Sequence, residues 1–247
     1  MEFAVLGWPP EGPQLRLDYR RFAYAGKFVM SNTGKAVVRE AEESAADDMI
    51  DDDSTAGDTA AADTVADDAT AGADADFDVG VAAALAFNAD RTEDATLWYR
   101  YVTVRDDAKG NGLGPRLAAF VAPRAADRGY DRLRIAVNNP FAYEAMYKAG
   151  FAWTGRETGV AELVLERPAD PAAAAGRDRS GDRYRAGLDR FRARDSADPE
   201  ASFLAAREGA DPPAILADLA DPTVDAVERP STEADPSDPP ADVDPDG

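Results

Sequence analysis

The residues best suited to chemistry run Val102-Thr103-Val104-Arg105-Asp106-Asp107-Ala108-Lys109-Gly110-Asn111-Gly112-Leu113-Gly114, and Pro115-Arg116-Leu117 come next. A β-branched stretch, a turn with three alternate glycines and the start of an apolar helix follow one another. That order gathers unpaired backbone N–H groups at a helix N-terminus, a concave surface that holds phosphate. A nucleoside-triphosphate loop needs Lys-Ser or Lys-Thr after its last glycine, and Pro115-Arg116 stands there. A dinucleotide fingerprint needs Gly-x-Gly-x-x-Gly, a rhythm that Gly110-x-Gly112-x-Gly114 does not have. The plain alternative is a tight turn that merely joins strand to helix.

The chain of 247 residues contains no cysteine and no histidine. Disulfides, thiolate nucleophiles, zinc-thiolate sites and the usual general base are excluded together. Tyr, Asp, Glu, Lys, Arg, Ser, Thr, the backbone and water remain. A second group of residues follows about thirty positions after the glycines: Asn138-Asn139-Pro140, then Tyr147-Lys148-Ala149-Gly150-Phe151. Glu93, Asp94 and Glu162 read first as solvated surface charges and only second as candidate bases.

Several elements must position these residues. Residues 96–104, Thr-Leu-Trp-Tyr-Arg-Tyr-Val-Thr-Val, alternate as a strand with one buried face does. A helix is expected from about Gly114 to Arg128, with Leu113, Leu117, Phe120 and Val121 on one side and Pro123 kinking it or splitting off its last turn. Residues 132–137 read as a strand. Asn139 and Pro140 then read as cap and first position of a helix over Phe141–Ala149 that stops at Gly150. Residues 35–39, 79–87, 151–155 and 159–166 complete about six strands. Leu17, Phe22, Tyr24 and Phe28 suggest a short amphipathic helix before the first of them. Near the C-terminus, Tyr184, Leu188 and Phe191 at helical spacing, with Phe203-Leu204 and Ile215-Leu216-Leu219, indicate small helices packed on the body or on a partner.

The net charge of −21 is unevenly spread. Residues 40–78 carry fifteen acids and no base, and residues 209–247 carry eleven acids and the single base Arg229, which leaves +4 for the rest. The first stretch is expected to be a disordered insertion at a hairpin tip, since Asp, Ala, Thr and Gly bury too little to offset ordering. Residues 221–247 are expected to be a disordered tail. Dense carboxylates with little lysine fit a salt-adapted source, where they keep a surface hydrated. The rival reading is an acidic tail that recruits basic partners. Nucleic-acid binding is not expected, because the body's bases are interspersed with acids. With no basic leader and no apolar run near ~20 residues, the expectation is a soluble cytoplasmic protein with no membrane partner.

Two motifs at this separation resemble the GNAT superfamily of N-acyltransferases over roughly residues 35–166. In that family Arg/Gln-x-x-Gly-x-Gly/Ala binds acyl-CoA, and here Lys109-Gly110-Asn111-Gly112-Leu113-Gly114 is similar, with Val104 five positions earlier at the strand end. Lys109 replaces the usual Arg or Gln. The family's Asn usually lies seven positions before the Tyr, a place that Pro140 occupies here, so Asn139 is offset by one. The resemblance implies an α/β (α+β) fold with a mixed, mostly antiparallel sheet of about six or seven strands flanked by helices. An acetyltransferase domain is then expected over residues 1–167, and the change of composition beyond Arg167 makes residues 168–220 a small helical appendage. The resemblance further implies acetyl-CoA as co-substrate, no metal, and direct attack on the thioester by a primary amine of a small molecule, a protein N-terminus or a lysine, in a protein that forms a homodimer. Val102, Thr103 and Val104 would face the pantetheine, Lys109 to Gly114 would hold the pyrophosphate, Asn139 would lie beside the cofactor, and Tyr147 would protonate the departing thiolate. The alternative is a non-catalytic acyl-CoA-binding module whose C-terminal helices and acidic segments contact other proteins.

Overall fold

A computed structural model describes residues 1–40, 77–174, 179–195 and 197–216. The expected acidic insertion falls mainly on residues 41–76 and the expected tail on residues 217–247, both outside the described residues.

Seven strands form one sheet: β1 Glu2–Gly7, β2 Gly34–Arg39, β3 Val81–Ala89, β4 Thr96–Val104, β5 Arg132–Val137, β6 Ala152–Glu157 and β7 Leu163–Pro168, in the order β1-β2-β3-β4-β5-β7-β6. Neighbours are antiparallel except β4 and β5. Parallel strands need a long crossover, and helix α1 Leu113–Ala126 supplies it. Helix α2 Pro140–Lys148 joins β5 to β6. After β7 come the short α3 Pro171–Ala174, α4 Gly181–Arg192 and α5 Asp198–Ala205. No helix among the described residues is long and apolar enough to cross a membrane.

Alternation along the strands divides the interior in two. Leu97, Tyr99, Leu133, Ile135, Val137, Leu163 and Leu165 face α1 and α2 in the larger core, which also takes in Tyr184, Leu188, Phe191 and Leu204 of α4 and α5. On the opposite face Val37, Val81, Ala84 and Ala86 pack beneath Leu15, Leu17, Phe22, Ala25 and Phe28.

The segment over Leu17–Phe28 was expected to be helical and is not. Arg21 N and Phe22 N both donate to Asp18 O, and a three-residue 3-10 turn, Ala25–Lys27, follows. Leu17, Phe22 and Phe28 are buried as the spacing suggested while Tyr24 is exposed, on an irregular chain that Gly26 interrupts. β1 adds a strand the sequence pattern did not disclose. The last strands also shift: residues 159–162 form a turn, with Ala161 N donating to Thr158 O, and β7 begins at Leu163. Pro123 neither ends nor splits α1, and Arg124 Nη1 donates to Phe120 O at 2.9 Å in the turn before it.

The C-terminal helices are tied down through Glu144 of α2. Its carboxylate pairs with Arg207, just beyond α5, and with Lys148 at 2.9 Å, and it accepts from Tyr184 Oη at 3.3 Å. Burial works against the charged carboxylate, but the bonds from Arg207 and Lys148 outweigh it and bring its pKa from 4.5 to about 2. A carboxylate depressed on folding adds stability above its unfolded pKa and loses it as pH falls through the folded value. Stability of the α2–α5 contact is therefore expected to fall between about pH 4.5 and about pH 2. Urea unfolding across this range should show a steeper acid loss for the natural protein than for Glu144→Gln.

Candidate functional site

β4 and β5 pair from Thr96↔Arg132 to Tyr99↔Ile135, and no further. Arg100 is the next residue of β4, and it is the extra residue of a bulge: Ala86 of β3 pairs with Tyr101 while Phe87 pairs with Tyr99. A bulge bends its strand and ends pairing on one side. β4 consequently leaves β5 while Tyr101 to Val104 keep their pairing to β3. Arg105 N donates to Ala82 O of the β3 side, so the two-residue repeat turns the backbone groups of Val102 and Val104 toward the gap. An open hydrogen-bonding edge thus lies inside the sheet, at the carboxyl ends of its two parallel strands, where α/β sheets bind ligands.

The glycine turn stands at the mouth of this gap. After the 3-10 turn Asp106–Ala108, Lys109 is extended, Gly110 takes φ +83° and Gly112 takes φ +72°, both left-handed. Gly112 caps α1 without a side chain, and Arg116 N closes the first helical bond onto its carbonyl at 3.2 Å. Asn111 Nδ2 braces the turn by donating to Ala108 O at 3.2 Å. Among the described residues, the amides of Gly110, Asn111, Gly112, Leu113 and Gly114 meet no protein acceptor. Five such N–H groups at the positive end of a fourteen-residue helix make an anion cradle. Gly114 faces β4, where a Cβ would make ordinary contacts at 3.5 Å with Val104 Cγ2 and 3.7 Å with Val102 Cγ1.

The other expected site residues are placed less uniformly. Lys109 is exposed and its ammonium is paired with Asp106 at 2.5 Å, so it lies beside the cradle rather than in it. Thr103 is 4% exposed and its Oγ1 has no partner among the described residues, a buried hydroxyl on the opposite face from Val102 and Val104. Asn139 serves as the α2 cap: its Oδ1 accepts from Ala142 N at 2.8 Å and its Nδ2 donates to Asn138 Oδ1 at 3.0 Å.

Tyr147 is held inside the protein. Its hydroxyl accepts from Trp153 N of β6 at 3.1 Å and from Tyr143 Oη at 3.2 Å, and its ring packs edge-on to Tyr184 of α4. The side chain is wholly buried in the larger core. The hydroxyl expected beside the leaving thiolate is thus engaged by Trp153 N and Tyr143 Oη. Tyr147→Phe is expected to cost about 1–3 kcal/mol in urea unfolding, because Trp153 N–H loses its acceptor. Turnover at saturating acceptor should stay within about 2-fold, since a group acting as general acid would supply ~10² or more.

The three candidate carboxylates also separate. Glu93 is held below the usual carboxylate range by Arg134, which donates to it at 2.9 Å, and neighbouring Asp90 is held lower still against its burial by Thr92 and Trp98. Both belong to a charged network with Glu166, whose carboxylate accepts from Arg134 Nε at 2.6 Å. Carboxylates so held are poor proton acceptors near neutrality. Glu93 and exposed Asp94 precede the Thr96 end of β4, the far end from the gap. Glu162 is half-buried directly before β7, whose Leu163 pairs with Val137 at the gap end of β5. No cluster of three or more acidic side chains fit for a metal ion occurs among the described residues.

No protein-family profile and no curated protein matches the chain in sequence. Solved structures do resemble it in part. Nourseothricin acetyltransferase aligns at 22% identity and a TM-score of 0.34, covering 38% of this chain and 62% of its own. An N-acetyltransferase from Staphylococcus aureus Mu50 aligns at 19% identity and a TM-score of 0.34, over 37% of this chain and 62% of its own. An acetyltransferase of Bacillus subtilis in complex with CoA aligns at 17% identity and a TM-score of 0.30, over 35% of this chain and 68% of its own. The alignments span less than two thirds of the first two proteins' own length.

Proposed function

We propose that this protein is an acetyl-CoA-dependent N-acyltransferase that acts on a primary amine. The observation that carries the proposal is the pairing of five acceptor-free amides, Gly110 to Gly114, with an open β4 edge leading away from them. An elongated ligand with a pyrophosphate at one end and peptide-like amides along its arm fits both features at once. Acetyl-CoA supplies the activated thioester.

This chain's residues would do the rest by placement. The amides of Gly110 to Gly114 hold the pyrophosphate, with Lys109 adding charge beside it. Val102 and Val104 give and accept backbone hydrogen bonds along the arm, as a missing strand would. That course brings the thioester back toward the Arg100 bulge, where a β4 N–H facing the gap can stabilise charge developing on the carbonyl oxygen. Positioning the amine against the thioester supplies much of the acceleration. Glu162, the carboxylate at the gap end of the sheet, takes the amine's proton through water, and water returns one to the departing thiolate. This suits a chain without Cys or His, since no covalent enzyme intermediate is needed.

The inward-turned Tyr147 favours a second reading, a module that binds acyl-CoA without catalysis. One assay separates the two. Thiol release from acetyl-CoA is followed across a panel of small amines, peptide N-termini and lysine peptides, with binding of CoA measured in parallel. Release that requires both an amine and Glu162 supports the enzyme. Tight binding with release at the uncatalysed rate for every amine would leave only the module.

A further inference from the structure

The chain holds four lysines, Lys27, Lys35, Lys109 and Lys148, and three of them are committed. Lys35 is wholly buried and donates to Met30 O at 2.7 Å and to Thr33 O at 2.9 Å. Lys109 is paired with Asp106 and Lys148 with Glu144. Lys27 is exposed and, among the described residues, has no carboxylate partner; its Nζ stands over the ring of Tyr101, 6.0 Å from the centroid.

Tyr101 follows the Arg100 bulge and lies beyond the last β4–β5 pair, so this ring borders the gap. The chain carrying Lys27 is fixed over it. Ala25 and Phe28 are buried on either side of Lys27, Lys27 N donates to Tyr24 O at 2.8 Å, and Tyr24 takes the left-handed φ of 60° that this tight turn requires. The rings of Tyr24 and Phe28 also pack near Tyr101, at 5.9 and 6.5 Å. Tyr24 thus holds the entry to this turn in a fixed conformation. Two residues along the same face of β4 lies Thr103, whose buried hydroxyl lacks a partner among the described residues. A flexible primary amine is thereby stationed on a π face at the point where the proposed function puts the thioester.

We propose that Lys27 is a self-acetylation site, a primary amine of this chain that reaches the acetyl group bound in its own β4–β5 gap. The inference rests on the acetyl-CoA reading of that gap. Lys27 Nζ gives up one proton to water and attacks the thioester carbonyl carbon. The N–C bond forms as the C–S bond breaks, the second proton leaves the nitrogen, and coenzyme A departs as the thiol. The acetamide so formed is neutral and still covers Tyr101, where it obstructs an incoming amine.

The test uses the full-length protein with acetyl-CoA and no added amine, read by intact mass and peptide mapping, alongside a titration with CoA. One acetyl group is expected, at Lys27, at least ~10-fold faster than at Lys109, Lys148 or the Met1 amine, as local positioning requires. The fraction labelled per unit time should not change with protein concentration, and Lys27→Arg should remove the label while keeping CoA affinity. Labelling at Lys27 no faster than at Lys109 and Lys148, or labelling that scales with protein concentration, overturns the proposal. If CoA binds and Lys27 stays unmodified, only this inference fails; if CoA does not bind, the acetyl-CoA reading fails with it.

Discussion

Gly112→Val is expected to weaken binding of coenzyme A by about 100-fold or more while the protein stays folded. Gly112 holds φ +72° and ψ 16° as the cap of α1. A β-branched residue is a steric outlier there, at a cost of about 1–2 kcal/mol, so the turn would rotate toward a right-handed conformation. Rotation takes the neighbouring amides off their common focus, and each hydrogen bond lost to a charged phosphate removes about 1.5–3 kcal/mol. Strain and one lost bond already approach the ~2.7 kcal/mol that a 100-fold change requires. The fold should survive, because a Cβ at Gly112 meets nothing within 4 Å. Calorimetric titration with CoA and a thermal melt separate the two effects. An affinity within about 3-fold of the natural protein would mean that the turn is only a connector.

Gly187→Ala should show the opposite pattern, a stability loss of about 3 kcal/mol or more with CoA affinity retained. Gly187 lies on the buried stripe of α4, and a Cβ built there stands 2.0 Å from Tyr143 Oη and 2.5 Å from its Cζ. Tyr143 has nowhere to go. Its hydroxyl is held at 3.2 Å by both Tyr147 Oη and Tyr184 O, and its ring is walled in by Tyr147, Tyr184 and Phe191. Accommodation requires α4 to lift from α2, an overpacking beyond the usual ~1–3 kcal/mol. For a chain of this size the melting temperature should drop by about 6–12 °C. Tyr143→Leu in the same chain should recover part of the loss, a coupling expected of residues in direct contact. A single variant as stable as the natural protein would show that α4 does not dock in this way.

How much of this was open to inspection in the sequence depended on how local each signal was. β4 was legible because its nine residues are dense in aromatic and β-branched side chains, although the bulge at Arg100 was not, and the glycine turn because Gly110 and Gly112 adopt conformations that other residues avoid. The Asn139-Pro140 start of α2 was equally local, a cap and a first-turn proline read directly from residue types. β1 was missed because it is a six-residue edge strand with a single neighbour, β2. The Leu17–Phe28 segment misled through its apolar spacing, since an irregular chain folded over a sheet can bury the same residues as a helix.

The direction in which Tyr147 points was out of reach for a different reason. Its hydroxyl partners and ring neighbour, Trp153 of β6, Tyr143 one turn earlier and Tyr184 of α4, come together only in the folded chain. The gap itself depends on where β5 stops pairing, a relation between strands separated by all of α1. Lys27 and Tyr101 lie farther apart still in sequence, and only the folded chain brings them together.

The central claim is that the Gly110–Gly114 amides and the open β4 edge hold the two ends of one acyl-CoA molecule. Titration of the isotopically labelled protein with CoA, followed by amide nuclear magnetic resonance, addresses it residue by residue. The largest changes should fall on Gly110, Asn111, Gly112, Leu113 and Gly114 together with Val102 and Val104, saturating at a single affinity. Unchanged signals at these residues, or changes confined to some other part of the sheet, would contradict the account.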